Sequence, residues 1–255
     1  MELSSLKLFD AHTHIDMKHY KNDREMVIQR AKDTGVVGMV TSSINPGSFR
    51  RTLGIVQKHD TYIYHTAGCQ PSLLKPAEAE KILHLIDKYA DDIVAIGEAG
   101  LDYHWVKDSK KRKAQEPLFE KFITKAQDLG LPIVVHARKA EGRAADILEE
   151  YNMENVLMHC YDGPSEVTQR IVKNKWYVTL PANFGRYRNR VQAAEMIPLE
   201  LIMLETDGPY LSPVEGRNES ANIIHGAKSL AEIKDIPIEE AAKITTENAI
   251  SFYGL

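Results

Sequence analysis

Two histidines one residue apart, His12 and His14, open a series of potential metal ligands that continues with Glu98, His136, His159 and Asp207. Imidazole nitrogen and carboxylate oxygen suit Zn²⁺, Mn²⁺ or Fe²⁺ at a catalytic site. The two cysteines, Cys69 and Cys160, lie far apart and form no Cys-x-x-Cys, which argues against a closed structural zinc or a redox dithiol. They read as buried free thiols. Six ligands exceed the needs of one four- or five-coordinate ion. Two divalent ions about 3.5–4 Å apart, bridged by a carboxylate, would use all six and activate a water for attack on a phosphorus or carbonyl centre. Glu98 is the natural bridge. Asp207 either completes a coordination sphere or takes the proton of the attacking water, so Glu98 and Asp207 are the candidate catalytic groups.

Each of these residues alone has an ordinary explanation, as a solvated turn or a satisfied polar group at a strand end. Their shared position sets them apart. Eight short runs rich in β-branched and apolar residues recur along the chain: Lys7–His12, Val36–Ile44, Thr61–Cys69, Ile93–Gly97, Pro132–His136, Asn155–Cys160, Trp176–Leu180 and Leu201–Thr206. Between them lie amphipathic stretches at Asp23–Asp33, Pro46–His59, Ala77–Tyr89, Gln115–Leu129, Gly142–Tyr151, Ser165–Asn174 and Asn189–Met196, with Ala221–Ile233 and Ile238–Phe252 after the last run. This is the pattern of repeated βα units around a parallel sheet. Periodicity alone does not separate a closed barrel from a doubly wound open sheet. The six groups do, because each falls at a strand's C-terminal end. A barrel gathers those ends on one face, whereas an open sheet spreads them along a line. The expected fold is α/β, a single (β/α)8 TIM-type barrel over residues 1–255 with its metal site at the C-terminal face of the strands.

At 255 residues the chain matches the roughly 250 typical of such a barrel. Apolar residues make up 43% and charged residues 27%, which excludes disordered and fibrous classes. A formal net charge of -4 gives no global attraction to nucleic acid, so a polyanion would have to be held by local cations or by metal. Met1 to Phe9 shows no leader pattern, and no segment approaches the roughly 18 apolar residues of a membrane span. The expectation is a cytoplasmic protein with no membrane partner.

Cations cluster where loops should rim the mouth: Lys107, Lys110, Lys111, Arg112 and Lys113 after the fourth run, and Arg186, Arg188 and Arg190 after the seventh. Such groups either track a phosphate backbone or are plain solvated surface. Arg138 and His104 are candidates to hold an anionic oxygen. Trp105 either stacks on a base or packs locally. Glu205, two residues before Asp207, shares its strand face by period 2 and reads as a support or substrate group. His65 reads as a core or supporting group.

The local strings D-A-H-T-H-I-D (10–16), G-E-A-G-L-D-Y (97–103), P-I-V-V-H-A-R (132–138), M-H-C-Y-D-G (158–163) and L-E-T-D-G-P-Y-L-S-P (204–213) give the chain a family likeness from Phe9 to its end. It resembles the TatD family of metal-dependent deoxyribonucleases in the amidohydrolase superfamily. The resemblance implies a TIM-type barrel with two divalent ions (Zn, Mn, Mg, Co or Fe). His12 and His14 would hold one ion and His136 and His159 the other, with Glu98 between them and Asp207 at the core. Two strings depart from the family pattern. Gly68-Cys69-Gln70-Pro71 stands where the family carries G-x-H-P, so Gln70 takes the place of a substrate-facing histidine and supplies neither charge nor proton. Arg217-Asn218-Glu219-Ser220 replaces R-N-E-P.

The leading functional expectation is therefore a metal-dependent DNase, with DNA as substrate. A hydrolase of a small amide, lactone or phosphoester on the same site is the alternative, since this fold hosts many chemistries. A non-catalytic metal-binding barrel is the third reading.

Overall fold

The computed structural model describes residues 6–73 and 75–255; residues 1–5, part of the segment read for a leader, and residue 74 lie outside the described residues. Strands occupy β1 (Leu8–Thr13), β2 (Val36–Ser43), β3 (Ile63–Ala67), β4 (Ala95–Asp102), β5 (Ile133–Arg138), β6 (Val156–Met158), β7 (Tyr177–Pro181) and β8 (Ile202–Glu205). Helices α1 (Arg24–Asp33), α2 (Pro46–Val56), α3 (Pro76–Lys88), α4 (Ser109–Leu129), α5 (Glu141–Glu150), α6 (Ser165–Asn174), α7 (Arg188–Met196) and α8 (Ile223–Lys234) each follow the strand of the same number. A further helix, α9 (Ile238–Tyr253), follows α8.

Every strand pairs parallel with the next in sequence order, from β1–β2 to β7–β8. Backbone bonds draw the two ends of this sheet together: Asp207 N–H donates to His12 O (3.0 Å) and His14 N–H to Gly208 O (2.9 Å). Beside them the buried Asp10 carboxylate accepts from the Thr206 amide (2.9 Å) and hydroxyl (2.6 Å). Burial pushes the Asp10 carboxyl up to about 7. The sheet thus curls into a nearly closed barrel, the (β/α)8 architecture expected from the sequence, and the open-sheet alternative falls away.

Phe9, Ala11, Val40, Ala95, Val134, Leu157 and Met203 form a compact apolar cluster with Ala249, Phe252 and Tyr253 of α9. Helix-facing residues such as Ile133, Val135, Val156 and Met158 alternate with them and belong to the larger outer core. This period-2 alternation puts the first set inside the ring, where α9 covers it. Tyr253 anchors that cover through its hydroxyl, which donates to Ala11 O (2.9 Å). The same alternation seats polar groups on the apolar layer. His136 is two residues past Val134, His159 two past Leu157, and Glu205 two past Met203.

Most element boundaries shift by one to three residues from the sequence reading, and two shift further. Strand β4 does not stop at Gly97 but runs on to Asp102, so Glu98 lies within the strand. Its register against β5 slips between Gly97 and Ala99, leaving Glu98 as the extra residue of a bulge that re-aims its side chain. Gly97 makes this possible: its φ is +142°, and an added Cβ would sit 2.4 Å from Val134 O. Helix α4 begins at Ser109 rather than Gln115, capped by the Asp108 carboxylate, which accepts from Lys111 N–H (2.8 Å). Pro117 lies inside the helix, in its third turn.

Candidate metal centre

The Glu98 carboxylate stands between two pairs of imidazoles. Its Oε1 lies 3.0 Å from His14 Nε2 and 3.3 Å from His12 Nε2. Its Oε2 lies 3.3 Å from His136 Nδ1 and 3.4 Å from His159 Nε2. Asp207 joins the first pair, with Oδ1 3.4 Å from His14 Nε2 and 3.9 Å from His12 Nε2. The structure therefore brings together all six groups singled out in the sequence, drawn from β1, β4, β5 and the ends of β6 and β8.

A surrounding set of contacts fixes each ring. His14 Nδ1 lies 3.0 Å from Ser42 O, and the Ser42 hydroxyl both donates to Gly97 O (3.1 Å) and accepts from Glu98 N–H (3.0 Å). His136 Nε2 lies 3.0 Å from Asp102 Oδ2. Glu205, fully buried, brings Oε2 to 3.6 Å from His159 Nδ1. The rings of His12 and His159 stack at 4.2 Å. Ser42 and Asp102 were missed in the sequence. Asp102 carried a readable signal, since period 2 from Glu98 puts it on the same strand face. Ser42, inside an ordinary Thr-Ser-Ser run, carried none.

Burial works against charge here, yet the cluster overrides it. Burial favours a neutral Glu98, but the surrounding imidazoles, His159 first and then His12, His136 and His14, hold its carboxyl well below the usual range. Asp207 is likewise lowered against burial, chiefly by His14. Burial pushes His14 down, and Asp207 and Glu98 more than reverse it, leaving it well above its ordinary value. His136 is raised by Asp102 and Glu98 against burial, and His159 rises to about 10 through Glu98 and Glu205. His12 alone falls, through burial and the neighbouring His159.

The donor chemistry and the unmet polar atoms fit divalent ions. Both nitrogens of His12, Glu98 Oε1, His159 Nδ1 and both Glu205 oxygens are buried without a hydrogen-bond partner. Buried polar atoms are costly unless satisfied, and a cation among them satisfies several at once. Among the described residues, His12, His14 and Glu98 offer ligand atoms within 4.8 Å of one another, as do Glu98, His136 and His159, and also His12, His159 and Glu205. The first two triads share Glu98.

A family model described as TatD related DNase matches residues 9–254. The chain belongs to the TatD family. A metal-dependent hydrolase of Methanocaldococcus jannaschii is 34% identical over 254 residues, covering 98% of each chain. The human deoxyribonuclease TATDN3 is 29% identical over 265 residues, covering 99% of this chain and 97% of its own. Among solved structures, YJJV, a TatD homolog from Escherichia coli K12, superposes with a TM-score of 0.89 over the full length of both chains at 21% identity, a likeness of fold.

Around this TatD centre the rim residues part company. Gln70 is half-buried in the turn after β3, where its backbone N–H donates to Ile44 O (3.3 Å). Arg138, the last residue of β5, is exposed and holds its guanidinium 5.5 Å from the centre of the Trp105 ring. His104 is half-buried beside them, and the Arg138 charge draws its pKa down. Glu205 faces no solvent and stands nearest His159 among the ligand histidines, 3.6 Å from its Nδ1. Arg112 is a strut: it donates to Tyr103 O (2.6 Å) and Val106 O (2.7 Å). Arg190 turns inward, 8% exposed, and donates to Cys160 Sγ (3.4 Å). The alternation read for Arg186, Arg188 and Arg190 is broken by a 3-10 turn at Phe184–Arg186 and the start of α7, so Arg186 and Arg188 alone reach solvent. His65 lies in the core, 2.9 Å from Ser43 Oγ and against Phe49. Both cysteines are free, Cys69 buried and Cys160 half-buried. Among the described residues, no helix is long and apolar enough to cross a membrane.

Proposed function

We propose that this TatD-family chain is a metal-dependent phosphodiesterase that cleaves DNA. The observation that carries the reading is the division of the Glu98 carboxylate, one oxygen toward His12 and His14, the other toward His136 and His159. His12, His14 and Asp207 would hold one divalent ion, His136 and His159 a second, with Glu98 shared between them. Ions held there would supply Lewis acidity toward a water and a phosphoryl oxygen.

The chain's own residues do the rest. Glu98, with 3% of its side chain exposed, is walled in by imidazoles and serves as a ligand. Asp207, with 16% exposed and its carboxyl lowered, is the ionised group that water reaches, and it takes the proton of the attacking water. Asp102 Oδ2, 3.0 Å from the far nitrogen of His136, keeps that ring in the orientation and tautomer that ligation needs, and the Glu205 carboxylate stands 3.6 Å from the far nitrogen of His159. Arg138 and the exposed Lys107 supply local positive charge that the net -4 of the chain does not. DNA as substrate agrees with the names carried by the family model and by the human relative.

The test is cleavage of single- and double-stranded DNA by the purified protein with Mg²⁺, Mn²⁺, Co²⁺ or Zn²⁺, against Glu98→Ala and Asp207→Asn. Metal-dependent cleavage well above both variants is expected. Cleavage no faster than theirs would sink the nuclease reading. Turnover of small esters or amides by the same preparation would then favour the second reading, to which Gln70 lends support by standing where family relatives carry a histidine.

A further inference from the structure

Trp105 has 64% of its surface exposed, more than any other large apolar side chain among the described residues. Neither the core nor the metal centre uses it. Its loop is nonetheless held firmly. Asp102 Oδ1 accepts from the Trp105 amide (2.7 Å), and the Arg112 guanidinium ties down the carbonyls of Tyr103 and Val106 while lying 5.0 Å from the centre of the Tyr103 ring. An indole left in water forgoes the burial that normally rewards a tryptophan, and a pinned loop prevents it from folding away.

The surroundings of the ring are cationic. Arg138 lies over it at 5.5 Å, and His104 meets it edge-on at 4.8 Å. Arg138, Lys107 and Lys139 all act on His104 as positive charges. The patch is also coupled to the metal centre through a single carboxylate: Asp102 accepts from the Trp105 amide with Oδ1 and faces His136 Nε2 with Oδ2 at 3.0 Å. Arg138 follows His136 by two residues on the same strand. A rigid π-surface and a fork-shaped cation, set beside the place where a phosphodiester would react, match one nucleotide: a base to stack and a phosphate to pair.

We infer that Trp105 and Arg138 form a subsite for one unpaired nucleobase and its adjoining phosphate, next to the bond to be cut. The subsite rests on the DNA-cleaving reading and adds to it a residue that selects unstacked bases. A base within a duplex has both faces covered by its neighbours and offers a side chain only its edges, so Trp105 acts on single strands and frayed ends.

The chain has two tryptophans, and the other, Trp176, is 1% exposed with its ring N–H bonded to Met153 O. Ligand-induced quenching of tryptophan emission therefore reports on Trp105. Metal-free protein in EDTA is titrated with an eight-nucleotide oligothymidylate, with a GC-rich hairpin duplex that stays paired under these conditions, and with an eight-nucleotide abasic oligomer. Wild type should show saturable quenching by the single strand. Trp105→Ala, followed by anisotropy of labelled oligomer, should bind about 5- to 150-fold more weakly, and Trp105→Phe should recover most of the loss. On the abasic oligomer, wild type and Trp105→Ala should bind alike. Equal affinity of wild type and Trp105→Ala for oligothymidylate, or quenching by duplex as strong as by single strand, overturns the subsite. Cleavage in Mn²⁺ that is indifferent to Trp105→Ala overturns the subsite alone and leaves the nuclease reading standing. Absence of both binding and cleavage in wild type overturns the two together.

Discussion

Asp102 Oδ2 lies 3.0 Å from His136 Nε2, on the ring edge opposite to Nδ1, which faces Glu98 Oε2 at 3.3 Å. With its proton on the Asp102 side, the imidazole would present its lone pair to an ion at the centre. Removing the outer acceptor frees the ring to turn and lowers its basicity. Asp102→Ala should weaken divalent affinity by about 10- to 100-fold in a calorimetric Mn²⁺ titration, with the far-ultraviolet dichroism unchanged. Unaltered affinity would show that His136 needs no such support.

Asp207 and Glu98 should separate by kind of loss. Asp207→Asn keeps an oxygen near His12 and His14 but cannot take a proton, so kcat should drop roughly 10²- to 10⁴-fold with KM little changed. Glu98→Gln leaves a neutral amide amid four imidazoles and should cost bound metal itself. The reverse pattern, metal lost in Asp207→Asn and retained in Glu98→Gln, would transfer the bridging role to Asp207.

His65 gives a pH prediction remote from the centre. Burial lowers its pKa from the ordinary 6.5 to about 3. The unfolded chain therefore binds a proton at this position more readily than the folded one. Stability from the neutral ring is fully present above about pH 6.5 and is lost as pH falls toward 3. Urea midpoints of His65→Gln should decline less steeply than those of wild type between pH 6.5 and 4. Parallel declines would contradict the assignment.

The β8–β1 seam has its own test. Thr206 donates to the buried Asp10 through both its amide and its hydroxyl. Thr206→Val keeps the shape but removes the hydroxyl, leaving a buried carboxyl short of a partner, at a cost of roughly 1–3 kcal/mol in a urea unfolding experiment. No change in midpoint would mean that the backbone bonds of His12 and His14 hold the seam unaided.

These groups were unequally legible in the sequence. The six of the centre could be found because parallel strands in a barrel present their C-terminal ends to one face whatever the loops do. The bulge at Glu98 could not be foreseen, since it depends on Gly97 reaching a positive φ against Val134, a tertiary contact. The loops resisted for a related reason. Arg112, Arg186, Arg188 and Arg190 look alike as charges, yet Arg112 braces its own loop, Arg186 reaches Pro213 O, Arg190 turns inward to Cys160 and Arg188 meets water, according to where a 3-10 turn or helix resets the side-chain direction. Trp105 was visible as a residue type, but its exposure was decided by Asp102 and Arg112 gripping the backbone around it.

The proposed sharing of Glu98 by two ions is tested most directly by anomalous diffraction from crystals loaded with Mn²⁺. Two anomalous peaks are predicted, one by Glu98 Oε1 with His12 and His14, the other by Oε2 with His136 and His159. A single peak, or two peaks of which neither touches Glu98, would contradict it.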